Sequence, residues 1–282
     1  MSRYVLSLQC PDQPGIVHAA SRAILELRGN VTDSQQFSDP ETGTFCLRTA
    51  FDVEGHDEIE IRAVLARELD SFGAAIRLRL ENDRHRLLIL VSNVDHCLVD
   101  LLYRRSIGEL AVDVPLVIGN HPEPAAVCAA HGVDFLHLPT TADNKAEVEA
   151  VIAARAKELD VDLIVLARYM QILSPDFCAQ FESQIINIHH SFLPGFKGAR
   201  PYHQAYQRGV KLIGATAHYV TSDLDEGPII EQDVARVSHR HEPADLVAMG
   251  RDLERTVLAR AVRLHVEDRV VLLGHRTAVF YR

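Results

Sequence analysis

Three side chains in the second half of this chain could together act on a carbonyl group: Asn187, His189 and Asp225. Asn187 and His189 lie two residues apart in "IINIHHSFLPGFKGARPYHQAY" (185–206), where an apolar run ends just before Pro194-Gly195. Residues two apart on an extended chain face the same side. An amide and an imidazole are therefore presented together, with His190 expected on the opposite side in a structural role. Asp225 stands in "TSDLDEGPI", a polar loop before a second apolar run. The amide could donate to a developing oxyanion, and the imidazole could supply or polarise a proton. The carboxylate could orient and activate a water or an amine, or pair with the imidazole. Such a set suits acyl transfer. Each residue also has a plainer reading, because His often caps a strand end while Asn and Asp favour turns.

Other chemistries find less support. His189, His190, His203 and His218 show no HxxxH or HExxH spacing, so no metal site is expected. Ser191 lacks the G-x-S-x-G elbow of a serine nucleophile. No glycine-rich loop of P-loop or dinucleotide type occurs, and no cofactor is expected.

The elements that must hold these residues divide into two parts. "RYVLSLQC" alternates like a half-buried strand, and "GIVHAASRAILELRG" has helical spacing with a glycine stop. Two strands then flank a hairpin at 40–43, a charged amphipathic helix ends at Gly73, and "AAIRLRLEN" alternates again. The order βαββαβ predicts a ferredoxin-like domain over residues 1–82, with a polar linker at 81–85. From residue 83 to 282 the pattern changes. "RLLILVS", "VDVPLVIGN", "VDFLHLP", "VDLIVLA" and "SQIINIHH" are short, fully apolar runs, the first four separated by helix-like segments. This predicts an α/β domain built on a mostly parallel sheet covered on both faces. "VKLIGATAHYVT" and "GPIIEQDVARV" read as a closing strand pair, and "PADLVAMGRDLERTVLARAVRLHVED" as a long amphipathic helix. Ligands of such sheets bind beyond the carboxyl ends of the strands. Asn187, His189, Tyr169 and Asn120 all follow apolar runs.

Bulk properties narrow the class. The 282 residues carry a formal net charge of -10, which disfavours general binding to nucleic acid or to anionic membranes. Five cysteines, an odd number without a CxxC pair, suggest free thiols in a reducing compartment. The first residues lack a signal-peptide layout, and no apolar run approaches a membrane span. A cytoplasmic enzyme is expected, with no nucleic-acid or membrane partner.

"INIHHSFLP", followed at a distance by "GATAHYVTSDLDEGPII", resembles the 10-formyltetrahydrofolate-dependent formyltransferase family over residues 85–282. The resemblance implies a Rossmann-like formyltransferase domain in which Asn187, His189 and Asp225 are catalytic and His218 supports the aspartate. It further implies that Met170, Ile172 and Leu173, in "LARYMQILS", line a pocket for the folate's pterin. Family members that formylate glycinamide ribonucleotide have a glycine-rich loop after the first strand, cradling the substrate phosphate. Here that strand runs into "VSNVDHCLVDLLYRRSIGEL", with no glycine before the helix. The whole pattern resembles formyltetrahydrofolate deformylases, which use water as acceptor. The expected reaction is hydrolysis of 10-formyltetrahydrofolate to formate and tetrahydrofolate, supplying formate for purine synthesis and balancing one-carbon folate pools. The alternative is transfer of the formyl group to an amine such as glycinamide ribonucleotide. In this reading Asp225, its pKa raised by burial, helps deprotonate water, while Asn187 and His189 stabilise the oxyanion.

The first domain resembles ACT domains through its element order and its "PDQPGIV" turn. That resemblance implies a possible amino-acid effector near Asp12 and Gly15, and a homodimer or homotetramer. An ordinary Pro-Gly turn into a helix is the simpler reading of the same residues. Lys197 and Arg200 could contact the folate's glutamate tail or solvate their loop.

Overall fold

The computed structural model describes residues 1–195 and 201–281, so Lys197 and Arg200 lie outside the described residues. The chain divides into two compact units, residues 1–83 with 267–282, and residues 84–266.

The first unit contains β1 (Ser2–Pro11), α1 (Ile16–Glu26), β2 (Asn30–Asp39), β3 (Thr44–Val53), α2 (Glu58–Leu69) and β4 (Ala75–Leu80). Its four strands form one antiparallel sheet in the order β2-β3-β1-β4. This is the βαββαβ arrangement read from the sequence. α1 buries Ile16, Ala19, Ala20, Ala23 and Ile24 in a core shared with Leu6, Leu8, Leu47 and Phe51. α2 begins in a capping box between Asp57 and Glu60, which satisfies otherwise orphaned N–H groups of its first turn. Gly15 caps α1 with φ +101°, a conformation that favours glycine. Asp12 is exposed in the same turn.

The second unit contains β5 (His85–Val91), α3 (His96–Ser106), β6 (Val112–Gly119), α4 (Ala125–Ala130), β7 (Phe135–His137), α5 (Lys145–Glu158), β8 (Leu163–Leu166) and α6 (Pro175–Gln180). It continues through β9 (Ile185–His189), α7 (Pro201–Gln207), β10 (Leu212–Tyr219), β11 (Ile229–Arg236) and α8 (Pro243–Val266). The seven strands are ordered β11-β10-β9-β8-β5-β6-β7. The pairs among β5 to β9 are parallel, whereas β10 pairs antiparallel with both β9 and β11. β5 and β8 bury essentially all their apolar residues, as strands covered on both faces should. The chain builds from β5 toward β7, then returns to add β8 and β9 on the other side of β5. The carboxyl ends of β5 and β8 therefore border the switch point at which α/β sheets bind ligands.

One expectation fails here. The sequence reading assigns residues 267–282 to the second domain, but they belong to the first unit. They form a hairpin of β12 (Val270–Leu273) and β13 (Arg276–Val279). Leu273 and Phe280 pack on Cys46 of β3, with Val271 and Ala278 beside them. The Gln9 side chain donates to Leu272 O, and Arg276 pairs with the buried Asp39. The hairpin covers a face of the sheet that would otherwise expose apolar groups. This also explains why β3 is buried almost throughout instead of alternating.

Candidate active site

Asn187 and His189 occupy the carboxyl end of β9. The antiparallel register sets His218 directly across from Asn187, and Thr216 across from His189. Cross-strand partners of this kind interact, and Asn187 Nδ2 lies 3.3 Å from His218 Nε2. The β10–β11 register shifts between Ala217 and His218, an irregularity that re-aims side chains. His218 Nδ1 donates to Tyr219 O at 2.8 Å. Nε2 of the same ring faces both Asn187 Nδ2 and, at 3.7 Å, Asp225 Oδ1. The Asn187 amide carries two N–H groups, more than this single contact can occupy.

Asp225 arrives from the loop between β10 and β11. Its backbone is left-handed, with φ +57°. Gly227 makes this loop possible, because a Cβ there would stand 1.8 Å from Tyr219 O. Asp225 Oδ1 lies 3.2 Å from His189 Nδ1 and 3.7 Å from His218 Nε2. Asn187, His189, His218 and Asp225 are thus brought together as the sequence reading expects. The charge state of Asp225 differs from that reading. Burial pushes its carboxyl up, but hydrogen bonding and electrostatic attraction from the His189 and His218 rings outweigh burial and hold it well below the usual carboxylate range. Asp225 is an anion that fixes Nδ1–H on His189. Nε2, on the far side of that ring, is buried without a hydrogen-bond partner.

His190 does not point away from His189. It follows the last residue of β9, where strict alternation stops, and the two rings stack with centroids 5.1 Å apart. Burial, with the nearby positive charge of Arg168 and the adjacent His189 ring, pulls the His190 pKa down to about 4.

These groups line a cavity of about 670 Å³. Met170, Ile172 and Leu173 line it too. Leu173 is buried in the core, whereas Met170 and Ile172 are 56% and 61% exposed, so they offer an apolar surface to a planar ligand. Tyr169 and His203 also face the cavity; Asn120, at the end of β6, does not border it. Ser191 is engaged elsewhere, its hydroxyl donating to Gly195 O.

The structure adds a cluster that the sequence motifs do not reveal. Glu254 of α8 is buried against the same cavity and accepts from His96 Nε2 at 2.8 Å and from Tyr202 Oη at 2.7 Å. Arg168 Nε lies 3.5 Å from Glu254 Oε2. Burial raises the Glu254 pKa, but His96, Arg168 and Tyr202 overcome it and leave the group below its ordinary range. Gly250, one turn earlier, admits the Tyr202 ring, which a Cβ would meet at 2.1 Å. A signal for Glu254 was present in the sequence. Leu246, Gly250, Glu254, Val257, Ala261 and Leu264 form the buried stripe of α8, and a glutamate in that stripe calls for partners. Among the described residues, His96, Cys97 and Glu254 are the one trio close enough to share an ion. Both Glu254 oxygens already accept hydrogen bonds, Arg168 stands beside them, and burial keeps Cys97 a thiol. The donor set fits an ion-paired cluster better than a cation site.

Comparison with known proteins agrees with this architecture. The family described as Formyl transferase matches residues 85–262, and the ACT domain family matches residues 4–69. Formyltetrahydrofolate deformylase of Bacillus subtilis (strain 168) is 48% identical, over 98% of this chain and 93% of its own. The crystal structure of formyltetrahydrofolate deformylase from Burkholderia mallei ATCC 23344 is 46% identical and superposes with a TM-score of 0.96, covering 100% of both chains. Glycinamide ribonucleotide transformylase 1 from Symbiobacterium toebii is 31% identical, with a TM-score of 0.68, over 73% of this chain and 98% of that one. The transformylase likeness leaves more than a quarter of the chain unmatched, whereas the deformylase likeness runs its full length, and the chain belongs to the formyltetrahydrofolate deformylase family.

Proposed function

We propose that this protein hydrolyses 10-formyltetrahydrofolate to formate and tetrahydrofolate. The observation that carries the reading is the His189–Asp225 pair beside Asn187, lining one cavity with the apolar Met170, Ile172 and Leu173. These apolar residues receive the pterin, and the N10-formyl group lies against the three polar side chains. Asp225 remains ionised and holds Nδ1–H of His189, leaving Nε2 as the base. Water attacks the formyl carbon as Nε2 takes its proton. The free N–H of Asn187 donates to the oxyanion of the tetrahedral intermediate. The imidazolium, stabilised by Asp225, returns the proton to N10 and the C–N bond breaks. Tetrahydrofolate and formic acid result, and the acid ionises to formate. This assignment moves the base from Asp225 to the His189–Asp225 pair, because a carboxylate held so far below its ordinary range is a poor base on its own.

The segment between β5 and α3 favours water over an amine acceptor. Residues 92–95 contain no glycine, and the first residue of α3, His96, is committed to Glu254. No glycine cradle for a phosphorylated amine is built there. The decisive measurement is release of formate and tetrahydrofolate from 10-formyltetrahydrofolate with no amine present. Turnover that begins only when an amine is added would replace the hydrolase reading with a transferase.

Supply of formate to purine synthesis and balance among folate pools follow from this chemistry as the cellular role, in the cytoplasm. None of the described helices is long and apolar enough to cross a membrane. The ACT match supports an amino-acid effector at the first unit, with Asp12 and Gly15 as its candidate contacts, and assembly as a homodimer or homotetramer.

A further inference from the structure

We infer that Arg168 forms a small-carboxylate subsite in the cavity and receives the formate product. The inference rests on the hydrolase reading above and extends it to the fate of the anion.

The backbone gives the first indication. Six non-glycine residues among those described have positive φ: Arg28, Asp160, Arg168, Ser183, Asp225 and Asp268. Four of them follow helices, where a left-handed residue commonly ends the turn. Arg168 and Asp225 follow no helix, and both line the cavity. Arg168 comes two residues after β8, with φ +64°. Its conformation is imposed by ties to the end of β5: Ala167 N donates to Leu90 O, Ser92 N to Arg168 O, and Met170 N to Ser92 Oγ. Glycine would adopt this conformation without strain. An arginine held there at a conformational cost points to use of its side chain.

The hydrogen bonds around Arg168 give the second. Its side chain is 16% exposed, and its Nε and Nη1 are buried without hydrogen-bond partners. A buried guanidinium normally satisfies its donors. Glu254 balances the charge of Arg168 at 3.5 Å, but its two oxygens are taken by shorter bonds from His96 and Tyr202. Arg168 is therefore electrically compensated yet retains open N–H groups. It stands at the switch point between β5 and β8, where ligands of such sheets bind.

The reaction itself gives the third. A neutral formyl group enters and an anion leaves, formed beside the Asp225 carboxylate that must repel it. Among the described residues the cavity has two arginines, and Arg251 is exposed on α8. Arg168 is the buried one, and its guanidinium suits a planar carboxylate. Formate passing from the Asn187–His189–Asp225 end toward Arg168 clears the reaction centre for the next water.

The test is titration of the full-length resting enzyme with sodium formate by calorimetry, against sodium chloride at matched ionic strength, with no folate present. Wild type is expected to bind formate saturably, and formate to act as a product inhibitor of turnover. Arg168→Met should weaken formate binding at least tenfold, the scale of one lost charge-assisted hydrogen bond. Arg168→Lys, which keeps a charge but loses the planar fork, should fall between the two and guards against a folding defect in the methionine variant. Equal formate affinity in wild type and in folded variants overturns the assignment, as does wild type that neither binds formate nor is inhibited by it. Because binding is read without substrate, saturable formate binding by an enzyme that shows no hydrolysis would sink the hydrolase reading while leaving the subsite in place.

Discussion

Two carboxylates, Asp225 half-buried and Glu254 buried, face the same cavity and are wired in opposite ways. Asp225 has one oxygen near His189 and His218, rides on a left-handed loop residue, and its His189 partner keeps an unpaired Nε2. Glu254 has both oxygens saturated by His96 and Tyr202, sits mid-helix, and has Arg168 beside it. Both are held below their ordinary range despite burial, so charge state does not separate them. Valence does. Around Asp225 the open valence belongs to a base, and around Glu254 it belongs to a cationic donor. The first arrangement can move a proton and the second can hold an anion.

Removing the charge of each carboxylate tests this contrast, and the largest effect is expected at Asp225. Asp225→Asn should lower kcat by about 10³- to 10⁴-fold, as when an aspartate that fixes a catalytic imidazole is made neutral, while the thermal midpoint changes little. Single-turnover formate release, with a melting curve on the same preparation, reads both quantities. A variant that turns over near the wild-type rate would remove Asp225 from the mechanism.

The mirror experiment is Glu254→Gln. Breaking a buried ion pair from one side leaves uncompensated charge, at a cost of about 3–5 kcal/mol. Denaturant unfolding should show a loss of that order, with Arg168 and His96 left unbalanced. A stability change below about 1 kcal/mol, within the range of surface pairs, would mean that the cluster is not wired as described.

The same contrast explains what could be read from the sequence. Asn187, His189 and Asp225 were legible because two of them share one face of a short strand, and the third stands in a loop beside a Gly-Pro turn. The βαββαβ order and the parallel core were legible through alternation and through unbroken apolar runs. Arg168 was in plain view within "LARYMQILS", but its left-handed backbone comes from ties to β5, about 75 residues away in sequence. Glu254 stood among the many charges of α8 until the buried stripe was drawn. The terminal hairpin misled because it follows α8 directly, whereas its apolar side chains match a sheet more than 200 residues earlier in the chain. His190 misled because β9 ends one residue before it. In each failure, local pattern was overruled by a contact distant in sequence.

His190 lies between the two regions and gives the smallest and most specific prediction. Its ring stacks on His189, and burial followed by the charge of Arg168 and the neighbouring His189 ring holds its pKa at about 4. In the unfolded chain an imidazole titrates near ~6.5. Between these values the unfolded state takes up a proton that the native state refuses. The contribution of His190 to stability is therefore complete above about pH 6.5 and is lost as pH falls toward 4. At about 1.4 kcal/mol per unit, the drop from pH 6 to 4.5 amounts to about 2 kcal/mol. Chemical unfolding of wild type and His190→Gln across this range should give curves that converge by that amount, since glutamine has no proton to refuse. Parallel curves would show that the His190 pKa is ordinary, and that Arg168 does not project its charge into the catalytic end of the cavity. Convergence that shrinks in an Arg168→Met background would tie the two regions together through Arg168.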